Sequence, residues 1–136
     1  MRIILGGLGR KCGKTALACR IFALAPERHW TAVKISHHEP DSGEAFTLTE
    51  ELLPGEEGDT RRYLQAGAAR SYWLRGDLDA ALPQLGAVLA DADNWLVEST
   101  TAIPALAYDI AVLVVDPANT DDDKLRALLG NRQAER

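Results

Sequence analysis

The first fifteen residues constrain this chain more than any other stretch. Apolar Ile3, Ile4 and Leu5 run into Gly6, Gly7, Leu8, Gly9, Arg10, Lys11, Cys12, Gly13, Lys14 and Thr15, and helix-forming Ala16, Leu17 and Ala18 follow. A short strand that feeds a glycine-rich turn and opens a helix on Gly-Lys-Thr is the pattern of a phosphate-binding loop. Glycines let the backbone close around an anion with several N–H groups turned inward. The amino end of the helix adds positive potential at the same point. On this reading Gly9, Arg10, Lys11, Cys12, Gly13, Lys14 and Thr15 cradle a nucleotide. Lys14 reaches its β- and γ-phosphates, and the Thr15 hydroxyl holds Mg²⁺. The usual spacing asks for a glycine five residues before Gly13, where Leu8 stands. Gly7 and Gly9 flank that position and re-form the turn in a shifted register.

Size and composition agree with a nucleotide-binding domain. A chain of 136 residues makes one domain, 1–136, which buries about two-thirds of its unfolded surface. The hydrophobic share of 46% and charged share of 26% are ordinary for a soluble globular chain. A formal net charge of −5 disfavours nucleic acid as a partner, which would select a basic face. No apolar run approaches the ~18 residues of a membrane span, and no cleavable signal pattern precedes the first strand. Cys12 and Cys19 fit reduced thiols of a cytoplasmic protein better than a disulfide framework. A redox role for Cys12 would require a lowered pKa.

Along the chain strands and helices alternate. Strands are expected at Arg2–Gly6, Trp30–Ser36, Ala69–Leu74, Trp95–Glu98 and Asp109–Val115. Helices are expected at Lys14–Ala25 (stopped by Pro26), Asp59 or Thr60 to Ala66, Asp77–Ala92 and Asp121–Leu129, with Gly130–Arg136 as a frayed tail. Pro83 is expected to kink or divide the third of these helices. The punctuated, acidic segment 37–58 reads as a mobile loop with a short strand around Ala45–Thr49. This alternation predicts an α/β fold, a mostly parallel sheet with helices on both faces, in the three-layer P-loop NTPase arrangement.

Ligands of such sheets gather at the carboxyl ends of the strands. Those ends carry Lys34 with Ser36, His37 and His38, then Glu98 with Ser99 and Thr100, then Asp116; Gly58, Asp59 and Thr60 precede another strand. A magnesium nucleotide needs hard oxygen ligands beside its phosphates, and Thr15, Asp59 and Glu98 can supply them. Arg61 near Asp59 is a candidate phosphate contact. His37 and His38 with Glu39 and Asp41 invite a transition-metal reading, but adjacent histidines point apart and no third ligand follows at metal spacing. Contact with substrate or phosphate suits them better. Trp30, Trp73 and Trp95 read as core. No Asn-Lys-x-Asp guanine-reading run is present, so the base is not assigned, and Asn119 is a candidate base contact by position only.

Four runs extend the pattern beyond its loop. They are Gly13–Leu17, Trp30–His38, Asp59–Ala68 (Asp-Thr-Arg-Arg-Tyr-Leu-Gln-Ala-Gly-Ala) and Trp95–Ser99 (Trp-Leu-Val-Glu-Ser). Together they resemble the molybdopterin-guanine dinucleotide biosynthesis protein B family and related uncharacterised P-loop proteins, from the amino terminus to about residue 116. A more distant resemblance is to dethiobiotin synthetase, which shares a Lys on its second strand, an Asp after it and a Glu ending a later strand. The chain departs from the biosynthesis family at Leu8, at Ser99-Thr100 where a Gly tends to follow the Glu, and in its short carboxyl-terminal part. The resemblance implies that Lys34 approaches phosphate or substrate and that Thr15, Asp59 and Glu98 surround Mg²⁺.

Two classes of function follow. One is an Mg²⁺-dependent NTPase or phosphate-activating enzyme, with Lys14 and Mg²⁺ neutralising the transferring phosphoryl group and Asp59 or Glu98 orienting a nucleophile. The other is an ATP- or GTP-binding adaptor with little turnover, which the biosynthesis-family resemblance favours. Its candidate partners are a cofactor-biosynthesis enzyme and a second copy of the chain.

Overall fold

The computed structural model describes residues 1–8 and 13–115. Expectations for Gly9, Arg10, Lys11, Cys12, Asp116, Asn119, the helix Asp121–Leu129 and the tail Gly130–Arg136 lie outside those residues. The described elements are β1 (Arg2–Leu8), α1 (Lys14–Leu24), β2 (Trp30–Ser36), β3 (Phe46–Glu51), α2 (Asp59–Gln65), β4 (Arg70–Gly76), α3 (Leu78–Ala90), β5 (Asn94–Glu98) and β6 (Ile110–Val115). They build one sheet in the order β3-β4-β2-β5-β1-β6. Every neighbouring pair is parallel except β3 and β4.

Side chains alternate between the two faces of a strand, and here both faces are buried. Ile4, Val33, Ile35, Leu74 and Val97 meet Leu78, Ala81, Leu85 and Leu89 of α3 on one face. Ile3, Leu5, Ala32 and Leu96 meet Ala18 and Phe22 of α1 and Tyr63 of α2 on the other. Burial on both faces explains why β1, β2 and β5 read as apolar runs instead of alternating patterns. It also fixes which way the polar exceptions point. Lys34 shares the parity of Ala32, and Glu98 that of Leu96, so both project toward the α1–α2 side. Phe22 ties that layer together, with its ring centroid 6.1 Å from Trp30 and 5.7 Å edge-on from Tyr63.

Three expectations are refined. β1 runs two residues further than the sequence suggested, because Gly7 and Leu8 remain in register with Val114 and Val115 of β6. A Cβ at Gly6 would lie 2.9 Å from Leu113 Cδ2 and 3.2 Å from Thr100 Oγ1, so this glycine serves strand packing. Helix α3 continues through Pro83. That residue lies on the exposed side, where water can solvate the carbonyl it frees. The short strand expected around Ala45–Thr49 within 37–58 is present as β3, and it pairs with β4 along its whole length, from Phe46↔Gly76 to Glu51↔Ser71, with Phe46 and Leu48 packed on the α3 core. Among the described residues, no helix is long and apolar enough to cross a membrane.

Candidate functional site

Four side chains named from the sequence meet at the carboxyl end of the sheet. Lys34 stands two residues before the end of β2, Glu98 is the last residue of β5, Thr15 is the second residue of α1 and Asp59 the first of α2. Lys34 and Glu98 are register partners on adjacent strands, and with the same parity their side chains are neighbours. The Lys34 ammonium donates to Glu98 Oε2 and pairs with Asp59 Oδ2 at 2.8 Å. The Thr15 hydroxyl donates to Glu98 Oε1 at 2.8 Å. Arg62, one turn along α2, approaches Asp59 Oδ1 at 3.8 Å.

Burial gives these contacts their weight. The Glu98 side chain is wholly inaccessible and Lys34 is 24% exposed. A carboxylate removed from water must be paired and hydrogen-bonded, and Glu98 has a partner on each oxygen. Burial alone would lower the Lys34 pKa, but the hydrogen bonds to Asp59 and Glu98 outweigh it and hold the ammonium above its ordinary value. For Asp59, burial pushes upward and the Lys34 ammonium overrides it, so the carboxyl stays below its ordinary value.

The start of α1 is shaped by Gly13, whose φ of +91° is costly for a residue with a Cβ. Lys14 follows as the first helical residue, half-buried. At the end of β1 the Thr100 hydroxyl accepts from the Gly7 N–H and donates to the Gly7 carbonyl, both at 3.1 Å. Thr100, noted in the sequence as a strand-end residue and as a departure from the family pattern, thus clamps β1 next to its last residue. No spacing rule would have singled it out.

Other candidates are placed differently. Arg61 turns to Glu51 Oε1 at 3.5 Å, so Arg62 and not Arg61 accompanies Asp59. His37 Nε2 lies 2.9 Å from Thr101 Oγ1. Among the described residues, no group of three or more His, Cys, Asp or Glu side chains could hold a metal. A magnesium nucleotide asks for less, since phosphates and water complete the coordination around one or two carboxylates. Burial raises the Cys19 thiol pKa, and its Sγ donates to the Arg62 carbonyl at 3.5 Å. Trp30 and Trp95 are core as expected, whereas Trp73 is 39% exposed. It lines a cavity with Gly58, Asp59 and Thr60 at the amino end of α2. The Trp73 indole N–H donates to Ser36 Oγ at 3.0 Å, and the Arg75 guanidinium stands 4.9 Å from its ring centroid.

Two features escaped the sequence reading. A cavity of about 190 Å³ adjoins the cluster, lined by Lys34, Ser36, Gly58, Asp59, Thr60 and Trp73. Tyr63 is fully buried, and among the described residues its hydroxyl has no hydrogen-bond partner. Burial first, then the charges of Glu98 and Asp59, push its pKa well above the ordinary value.

Fold and site define a mixed α/β domain with an ammonium-bridged carboxylate pair at the carboxyl end of its parallel strands. Comparison with protein-family models, curated proteins and solved structures finds no significant match.

Proposed function

We propose that the chain is a three-layer P-loop domain that binds a purine nucleotide, ATP or GTP, with Mg²⁺, and hydrolyses it weakly or only with a partner. The observation that carries this reading is the convergence of Thr15, Lys34, Asp59 and Glu98 beside the start of α1. Two carboxylates already hold a cation there, the Lys34 ammonium, with the Thr15 hydroxyl bonded to the other oxygen of Glu98, and hard oxygen donors of this kind suit Mg²⁺. Thr15, Asp59 and Glu98 would hold the ion, directly or through water. When bound, Mg²⁺ supplies charge neutralisation at the phosphates. Gly9 to Thr15 would cradle the phosphates, Lys14 would meet the β- and γ-oxygens, and Asp59 or Glu98 would orient a nucleophile. By resemblance to the molybdopterin-guanine dinucleotide biosynthesis protein B family, the domain is an adaptor for a molybdenum-cofactor enzyme, cytoplasmic, with a homodimer as a candidate assembly.

A second reading is favoured by the cavity beside Lys34 and Asp59. A small acceptor bound there would make the protein an ATP-dependent phosphate-activating enzyme of the dethiobiotin synthetase kind. Phosphate release from ATP and GTP, with and without Mg²⁺, separates slow intrinsic turnover from acceptor-dependent turnover. Calorimetric titration tests the shared premise. Lys14→Ala is expected to reduce nucleotide affinity by at least about a hundredfold in a folded protein. Unchanged affinity would remove the P-loop assignment.

A further inference from the structure

We propose that Lys34 makes this site selective for a metal–nucleotide complex over a free divalent cation, by keeping its own ammonium between Asp59 and Glu98 until phosphate oxygens draw it away. The inference rests on the magnesium-nucleotide reading above and adds the order of events at the site. Three observations support it.

The carboxylates are already in use. Lys34 takes one oxygen of Asp59 and one of Glu98, and the Thr15 proton is committed to the other oxygen of Glu98. A free divalent ion arriving here meets a like charge and carboxylate oxygens already bound to it. A metal–nucleotide complex brings anionic phosphate with it, which gives the ammonium somewhere else to bind. Lysine is suited to such a move, being a compact charge on a flexible four-carbon stem.

Room for the move exists. Lys34 lines the cavity of about 190 Å³ together with Ser36, Gly58, Thr60 and Trp73. Its side chain can therefore change direction without the strands or α2 repacking.

A replacement donor stands ready. Leaving a polar group buried and unpaired is costly, and native structures seldom tolerate it without a reason. Among the described residues the Tyr63 hydroxyl has no partner, and it is close enough to Glu98 and Asp59 for their charges to act on it. Once the ammonium departs, Tyr63 can donate to Glu98 and limit the cost of an exposed pairing vacancy.

The test uses Mn²⁺ in place of Mg²⁺, read by electron paramagnetic resonance, first without nucleotide. Wild type is expected to bind Mn²⁺ no tighter than about 1 mM, and Lys34→Met at least about tenfold tighter. Adding Asp59→Asn to Lys34→Met should abolish the gain. Equal Mn²⁺ affinity in wild type and Lys34→Met overturns the proposal. If Lys34→Met is unfolded on its own, Mn²⁺ should refold it in a circular dichroism titration, by binding only the native state; failure of millimolar Mn²⁺ to do so likewise overturns it. A second arm adds ATP or GTP, which should tighten Mn²⁺ binding to wild type more than to Lys34→Met. Loss of all nucleotide binding would sink the function proposed above, while the nucleotide-free arm would still decide the role of Lys34.

Discussion

Two cation–carboxylate groups join distant parts of this chain, one at each end of the sheet, and they behave differently. At the amino end, Arg2 Nη2 pairs with Asp109 Oδ1 at 3.0 Å, and the Arg2 backbone N–H donates to Asp109 Oδ2 at 2.8 Å. At the carboxyl end, Lys34 pairs with Asp59 and Glu98. The pKa shifts have the same directions in both: Arg2 and Lys34 up, Asp109 and Asp59 down. Exposure separates them. Arg2 and Asp109 side chains are 48% and 42% exposed, whereas Glu98 is at 0%. Water and salt screen the first pair almost fully, so breaking it exposes nothing new. Breaking the second leaves a carboxylate in the core. A shift in pKa therefore identifies a contact, and burial decides what the contact is worth.

The largest expected effect is on stability at the buried end. Lys34→Met should cost about 3 kcal/mol or more, because the buried Glu98 side chain loses its counter-charge. Lys34→Met with Glu98→Gln should recover most of that loss, since the charge is removed with its partner. Urea unfolding of the two single variants and the double variant measures the coupling. Additive losses would mean that the two residues stabilise the fold independently and that the buried pair is not the unit.

Next comes the metal. Glu98→Gln keeps the shape of the side chain and loses its charge, so nucleotide affinity in Mg²⁺ should fall about tenfold while metal-free affinity stays nearly constant. Equal losses under both conditions would assign Glu98 a purely structural role.

A smaller effect is the pH dependence of the Lys34–Asp59 contact. The Asp59 pKa is depressed below its ordinary 3.8, so its contribution is present above that value and is lost as pH falls through the lower folded value. Lys34 is raised above its ordinary 10.5. Its contribution is present below that value and is lost as pH rises through the higher folded one. The stability difference between wild type and Asp59→Asn should therefore be flat from about pH 5 to about pH 9 and shrink in stronger acid. A difference that changes steeply near neutrality would implicate another group.

Much of this was legible in the sequence, and the physical reasons for success and failure differ. Buried parallel strands announce themselves by apolar runs between turn signals, so β2, β4, β5 and β6 fall within about two residues of expectation. Thr15 was named from the Gly-Lys-Thr pattern, Lys34 and Glu98 from strand ends that collect on one edge of such sheets, and Asp59 from the segment ahead of the next strand. What the sequence withheld depends on pairing across long separations. Nothing local in Phe46–Glu51 says that it will add antiparallel to β4. Nothing in Trp73 distinguishes it from the buried Trp30 and Trp95, because its exposure depends on the cavity that it lines with the start of α2. The Thr100 clamp on Gly7 spans 93 residues, and the Tyr63 hydroxyl, without a partner among the described residues, is visible only once its neighbours are in place.

The smallest expected effect closes the comparison at the amino end. Arg2→Ala removes the guanidinium but keeps the backbone N–H that donates to Asp109 and the carbonyl that accepts from the Asp109 N–H at 2.8 Å. Those backbone bonds, not the ion pair, hold the start of β6 against β1. Arg2→Ala should consequently leave the urea midpoint unchanged within error at physiological salt, where exposed pairs are screened. Asp109→Ala should shift the midpoint more, because it also takes away the acceptor for the Arg2 N–H. If instead Arg2→Ala destabilised the protein as much as Lys34→Met, exposure could not be what separates the two ends, and the value placed on the Lys34–Glu98 pair would need another cause.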